Sequence, residues 1–242
     1  MVTTAALRSS AGLAYLLSAP ACTVDRSLPV VLFLHGAGES GSGDAWGVLP
    51  GYDSSDGAWT AASPVRGTPP GLAVDQLLHD FVVVSPRTNR GWGADTHAAL
   101  LSLLDEVFAS TPCADGRRVV LTGISMGGAG AWSLGSAAPQ RFAGVAPICG
   151  YGEAGAAHVA HALRATPLYV VHGHNDAVIP VRESRQLVAA LRTAGNERVV
   201  YEEVEGRAPL GYARMTGHDS WTAAYGSKEF WDWARSLSLV VQ

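Results

Sequence analysis

Short, unbroken apolar runs recur along this chain, separated by segments of helical period. Pro29–Leu34, Phe81–Ser85, Arg118–Thr122, Phe142–Ile148, Pro167–His172 and Val199–Val204 are brief and rich in β-branched residues. Runs of this kind read as strands buried on both faces, the habit of a parallel sheet. Between them, Leu100, Leu103, Leu104, Val107 and Phe108 repeat at the 3.6-residue period, with Thr96 placed to cap the helix. Residues 154–164, 181–194 (closed by Gly195) and 229–239 also read as helices, as does the short stretch 72–78. Leu13–Ser18 reads as an entering strand ended by Pro20; its likeness to a secretory signal is faint, because the run is short and the cleavage-like site carries a proline. Strands alternating with helices predict an α/β fold: a mostly parallel central sheet with helices on both faces. No change of composition divides the chain, so residues 1–242 are expected to form one domain without a separate cap. Two segments lack any period, about 39–71 and 205–217, and loops of that length usually border a site.

One junction stands out. The apolar run that starts at Arg118 leads into Gly123-Ile124-Ser125-Met126-Gly127, and a small-residue helix follows. Strand, sharp turn and helix with a serine at the apex is the layout of a nucleophile elbow. Strand and helix pass so closely there that side chains two residues either side of Ser125 would collide, and Gly123 and Gly127 remove them. The turn lifts the hydroxyl clear of the sheet and starts a helix at the Met126 N–H.

A serine hydroxyl needs a base, and the base needs an orienting acid. In open parallel sheets such groups lie beyond the carboxyl ends of strands. Asp176 follows the run 167–172, and His218 follows the run 199–204. The order Ser125, Asp176, His218 is that of hydrolases with this elbow. Asp219 is the competing acid, but as the neighbour of His218 it is expected to point elsewhere. His35-Gly36-Ala37-Gly38 ends a strand expected beside the elbow strand, so the N–H groups of Ala37 and Met126 are the candidate oxyanion hole. His35 is expected to brace that loop. Trp46, Trp59, Trp92 and Trp221 are candidates to line the site, with ordinary packing as the alternative. His172, His174 and Asp176 alternate as metal ligands can, but they straddle a strand end with no fourth ligand, so no metal is assigned. His158 and His161 read as surface residues.

Composition adds limits. The formal net charge of −4, without a basic run, argues against nucleic acid as a partner. No apolar stretch approaches the roughly 20 residues that span a bilayer. Three cysteines, Cys22, Cys113 and Cys149, are an odd count without metal spacing. They predict no disulfide framework and a reducing, cytoplasmic setting, although one pair could close.

Residues 31–39 (VLFLHGAGE), 121–128 (LTGISMGG), 141–150 (RFAGVAPICG), 172–176 (HGHND) and 217–221 (GHDSW) together resemble the α/β-hydrolase superfamily. More closely they resemble its small single-domain carboxylesterases, also described as predicted peptidases or phospholipase/carboxylesterase-like proteins. The resemblance spans about Leu13 to the C-terminus. It implies a cofactor-free esterase acting on a small-molecule ester, with Ser125, Asp176 and His218 as nucleophile, acid and base. A thioesterase or lysophospholipase would use the same groups; a peptidase or a non-catalytic receptor on this fold are the remoter readings. The branch with a cysteine nucleophile, the dienelactone hydrolases, is disfavoured by Ser125.

Overall fold

The computed structural model describes residues 2–23, 25–39, 79–209 and 213–239. Its frame is an eight-stranded sheet in the order β1-β2-β4-β3-β5-β6-β7-β8. The strands are β1 (Val2–Arg8), β2 (Ala14–Pro20), β3 (Leu28–Leu34), β4 (Val82–Pro86), β5 (Ala114–Ile124), β6 (Gly144–Ile148), β7 (Leu168–Gly173) and β8 (Val199–Val204). Every pairing from β4 to β8 is parallel, while β2 runs antiparallel to β1 and β4. The helices are α1 (Ala94–Ser110), α2 (Met126–Ala137), α3 (Ala156–Ala162), α4 (Arg182–Thr193), α5 (Trp221–Gly226) and α6 (Lys228–Ser236).

The alternation of side chains along each strand sends its residues to two separate cores. Leu32 and Leu34 of β3 face one way and join Leu100, Leu104, Trp132 and Leu191 of α1, α2 and α4. Val31 and Phe33 face the other way and join Tyr225, Phe230 and Trp231 of α5 and α6. All of β3 is buried, as an unbroken apolar run requires when helices cover both faces. The expected doubly covered sheet is therefore present.

Several details differ from expectation. The described residues contain β1, which the apolar pattern did not reveal. It is a sheet-edge strand whose residues from Thr3 to Arg8 are exposed, so no burial imposes a pattern on it. Helix α1 starts at Ala94 with Gly93 as its N-cap; Thr96 lies inside the first turn, its hydroxyl donating back to the Gly93 carbonyl at 2.8 Å. The expected C-terminal helix begins a residue early and is preceded by α5. Ser227 separates the two, and its side chain accepts the Phe230 N–H at 3.2 Å as an N-cap. The short helix expected over 72–78 and most of the loop 39–71 fall outside the described residues.

The cysteine expectation needs correction. Cys22 and Cys113 are joined in a disulfide across 91 positions of sequence, and Cys149 is the free thiol. Cys113 precedes β5 and Cys22 precedes β3, strands that are neighbours in the sheet, so their starts bring the two together. The odd count arises from one closed pair and one buried thiol, and it no longer supports a reducing compartment. Closing a loop of this length restricts the unfolded chain by about 4 kcal/mol on the chain-entropy account. Cys22→Ser with Cys113→Ser, or reduction, should therefore lower the melting temperature by on the order of 10 °C. The bond lies at the opposite end of β5 from Ser125, so the backbone around Ser125 should hardly change. Differential scanning calorimetry beside amide hydrogen exchange over residues 123–128 checks both halves.

Candidate active site

Ser125 sits between β5 and α2 with φ 54° and ψ −116°, a positive φ that a residue with a Cβ adopts only under strain. Its N–H is tied to the Ile148 carbonyl at 3.0 Å, which anchors the turn to the end of β6. A Cβ on Gly123 would lie 2.4 Å from the Gly127 carbonyl oxygen, and one on Gly127 would lie 1.9 Å from the Leu34 carbonyl oxygen. Both would be impossible overlaps with backbone. The collision expected from sequence is thus present, with the end of β3 as a third participant.

The structure brings Ser125, His218 and Asp176 together. His218 Nε2 lies 2.9 Å from Ser125 Oγ, and His218 Nδ1 lies 2.7 Å from Asp176 Oδ2. His218 is 1 % exposed and Asp176 9 %, while Ser125 is partly open. Asp176 Oδ1 accepts the N–H groups of Val178 at 2.8 Å and Ile179 at 3.0 Å. Burial raises the pKa of this carboxyl, yet the nearby His172 imidazole, the hydrogen bond from His218 and the Ile179 N–H outweigh it and hold the group well below the usual carboxylate range. Asp176 therefore stays ionised.

The loop carrying His218 reaches the sheet by close backbone passage. A Cβ on Gly206 would meet the Gly217 carbonyl oxygen at 1.8 Å, and Gly217 itself has φ +76°. Asn175 fastens this crossing: its Nδ2 donates to the Gly206 carbonyl at 3.1 Å and its Oδ1 accepts the Gly206 N–H at 2.9 Å. The sequence reading passed over Asn175, although it lies beside Asp176.

Ala37 begins a 3-10 turn (Ala37–Glu39) directly after β3, the neighbour of β5, and Met126 is the first residue of α2. Neither N–H has a hydrogen-bond partner among the described residues. His35 braces the loop between them: Nδ1 donates to the Gly36 carbonyl at 2.8 Å, and Nε2 accepts the Thr88 N–H at 3.2 Å. Burial lowers its pKa to about 4, so it is neutral. Asp219 points away from His218, as expected, and its carboxylate accepts the N–H and hydroxyl of Thr222, both at 2.9 Å.

The tryptophans divide. Trp92 is 3 % exposed, donates its indole N–H to the His35 carbonyl at 2.9 Å and lines a cavity of about 360 Å³. Met126, Arg90, Asp95, Tyr151 and Glu153 also line this cavity. Trp221 does not; it is buried at 5 % exposure with its ring edge-on to His218, centroids 5.5 Å apart. Its ring packs against the imidazole, beside the Ser125–His218 pair. Trp46 and Trp59 lie outside the described residues.

Cys149, which follows β6 with φ 40°, was not singled out by sequence. Ligand atoms of Cys149, Asp176 and His218 lie within 4.8 Å of one another. The carboxylate–imidazole hydrogen bond already accounts for two of them, and burial pushes the Cys149 thiol up, so it stays protonated and is no ready ligand. His172 and His174 do not converge on a common point, since the first is buried and the second exposed. His158 and His161 are exposed, as expected. Among the described residues no helix is long and apolar enough to cross a membrane.

The model of the phospholipase/carboxylesterase family matches residues 92–215, just over half of the 242-residue chain. The match takes in the elbow and Asp176. A thermostable esterase of known structure is 27% identical with a TM-score of 0.74, over 98% of this chain and 63% of that one. The chain thus spans under two thirds of that esterase's length. A protein assigned as a dienelactone hydrolase from Klebsiella pneumoniae is 17% identical, with a TM-score of 0.63 and 98% of both chains covered. The acylaminoacyl peptidase of Pyrococcus horikoshii is 15% identical, with a TM-score of 0.62, over 100% of this chain and 42% of that one. These last two share the fold. No curated protein sequence matches. Sheet order, elbow and family match agree: the chain belongs to the phospholipase/carboxylesterase family of α/β-hydrolases.

Proposed function

We propose that this chain is a serine hydrolase that cleaves carboxylic esters of short acyl groups. The observation that carries the reading is the unbroken hydrogen-bonded chain from Ser125 through His218 to Asp176 at the carboxyl edge of the sheet. Ser125 Oγ attacks the ester carbonyl carbon while His218 Nε2 takes its proton. Asp176 holds Nδ1–H, which leaves Nε2 as the acceptor, and it stabilises the imidazolium that forms. The negative charge on the carbonyl oxygen is met by the Met126 and Ala37 N–H groups, each such donor being worth about a hundredfold or more in rate. His218 then protonates the departing alcohol, and water activated by the same nitrogen hydrolyses the acyl-enzyme. Cys149 is unsuited as the nucleophile: it is fully buried and lies off the elbow, whereas Ser125 is at its apex and partly open.

The substrate range follows from the cavity beside Met126. Arg90, Asp95 and Glu153 on its lining offer charge where a long acyl chain needs apolar wall. Each methylene gains about 0.8 kcal/mol only if it is buried. Across p-nitrophenyl esters, kcat/KM should peak at acyl chains of about two to six carbons and then fall. A maximum at palmitate length, or faster turnover of matched thioesters, would replace this reading with a lysophospholipase or a thioesterase.

A further inference from the structure

His172 ends β7 four residues before Asp176, and no proton transfer described above uses it. The residue is fully buried, and its hydrogen bonds fix its tautomer. Nε2 lies 2.8 Å from the Ile179 carbonyl oxygen, which can only accept, so Nε2 carries the proton. Nδ1 lies in hydrogen-bond contact, at 2.7 Å, with the Oγ of Ser184, a residue of α4 that is itself fully buried. The same Nε2 is 3.4 Å from Asp176 Oδ2, the oxygen that receives the His218 Nδ1–H. Asp176 is thus flanked by two imidazoles on one oxygen, with backbone N–H groups on the other.

We propose that His172 is a positioning residue for the acid: a second histidine, held by Ile179 and Ser184, that sets the place and the effective charge of the carboxylate oxygen facing His218. The inference rests on the proposed roles of Ser125, His218 and Asp176. Its physical basis is direct. Oδ2 has one hydrogen-bonded side-chain partner, His218, whose proton count changes in the proposed cycle, so a second contact that stays constant keeps the oxygen in place. Ser184 and Ile179 hold the His172 ring from both edges, and the ring packs against Oδ2 with Nε2 at 3.4 Å. The N–H dipole also offsets part of the carboxylate's charge, which moderates the pull of Asp176 on the His218 proton. The titratable groups against Asp176 are His172 from β7, His218 from its loop and the Cys149 thiol after β6. The last stays protonated because burial pushes its pKa up.

The test compares His172→Leu, which removes both ring contacts, with His172→Gln, whose side-chain N–H₂ can take the place of Nε2–H. In His172→Leu, kcat on p-nitrophenyl acetate should fall at least about tenfold with KM within about twofold. The midpoint of the rising limb of kcat/KM against pH should move upward, because an unmoderated carboxylate holds the His218 proton more tightly. His172→Gln should recover most of the loss and return the midpoint. Should His172→Leu fail to fold, Ser184→Ala, which frees the ring to turn, should show a smaller shift in the same direction. A folded His172→Leu with wild-type kcat and an unmoved midpoint, or a folded Ser184→Ala with neither change, overturns the proposal. The two readings fail separately: turnover surviving in Ser125→Ala sinks the hydrolase mechanism, whereas an inactive Ser125→Ala beside an unaffected His172→Leu sinks only the positioning role.

Discussion

Ser125→Ala should lower kcat for ester hydrolysis by on the order of 10⁵-fold or more, with the fold unchanged. On the proposed mechanism the reaction loses its nucleophile, and among the described residues the nearby Cys149 is no substitute, being a fully buried thiol that burial keeps protonated. What remains would come from the Met126 and Ala37 N–H groups in their proposed role. Alanine keeps the Cβ, so the backbone at φ 54° is neither relieved nor worsened and the melting temperature should move by no more than a degree or two. Burst titration with a p-nitrophenyl ester, together with labelling by a serine-reactive phosphonate, measures the outcome. Loss of the phosphonate adduct at Ser125 should accompany the loss of rate, and retention of several per cent of activity in a titrated preparation would remove Ser125 from its role.

Asp176→Asn should cost up to about four orders of magnitude in kcat, as the equivalent change does in serine proteases. An amide can donate to His218 Nδ1 as readily as it accepts, which favours the tautomer whose Nε2 carries a proton and cannot take one from Ser125. The variant also leaves a neutral group where His172 and the Val178 and Ile179 N–H groups converge on a carboxylate. Asp219→Asn should change kcat by less than about threefold, since Asp219 is engaged by Thr222. If Asp219→Asn proved the more damaging of the two, the acid would have to be reassigned.

Much of this architecture was legible in the sequence because burial wrote it there. Strands β3 and β5 to β8 announce themselves as apolar runs, and the elbow announces itself through Gly123 and Gly127, residues that backbone contact alone requires. Ser125, Asp176 and His218 could be picked out because strand order fixes which loops meet at one edge of the sheet. The parts that escaped lack such a local signature. Strand β1 is exposed from Thr3 to Arg8 and is specified by its pairing with β2 rather than by a pattern of its own. Cys22 and Cys113 are 91 positions apart, and only the adjacency of β3 and β5 says that they meet. His172 offered no role in the sequence, where no metal was assigned to it, because spacing along the chain is blind to Ile179 and Ser184, which hold the ring. Trp221 could be read from sequence either as lining the site or as ordinary packing, and only the fold shows that α5 turns it onto His218.

At this site main chain passes main chain with no room for a Cβ: Gly127 against Leu34, and Gly206 against Gly217. Contacts of that kind do not depend on the size or rotamer of any side chain. Volume-conserving exchanges in the two cores, such as Leu104→Met on one face or Leu237→Met on the other, act through side-chain packing and leave those crossings in place. Heat resistance and turnover are accordingly governed by different parts of the molecule. The scaffold can be softened or hardened for a process temperature by rewriting its interior, while the rate at a permissive temperature stays tied to a handful of glycines that tolerate no rewriting at all.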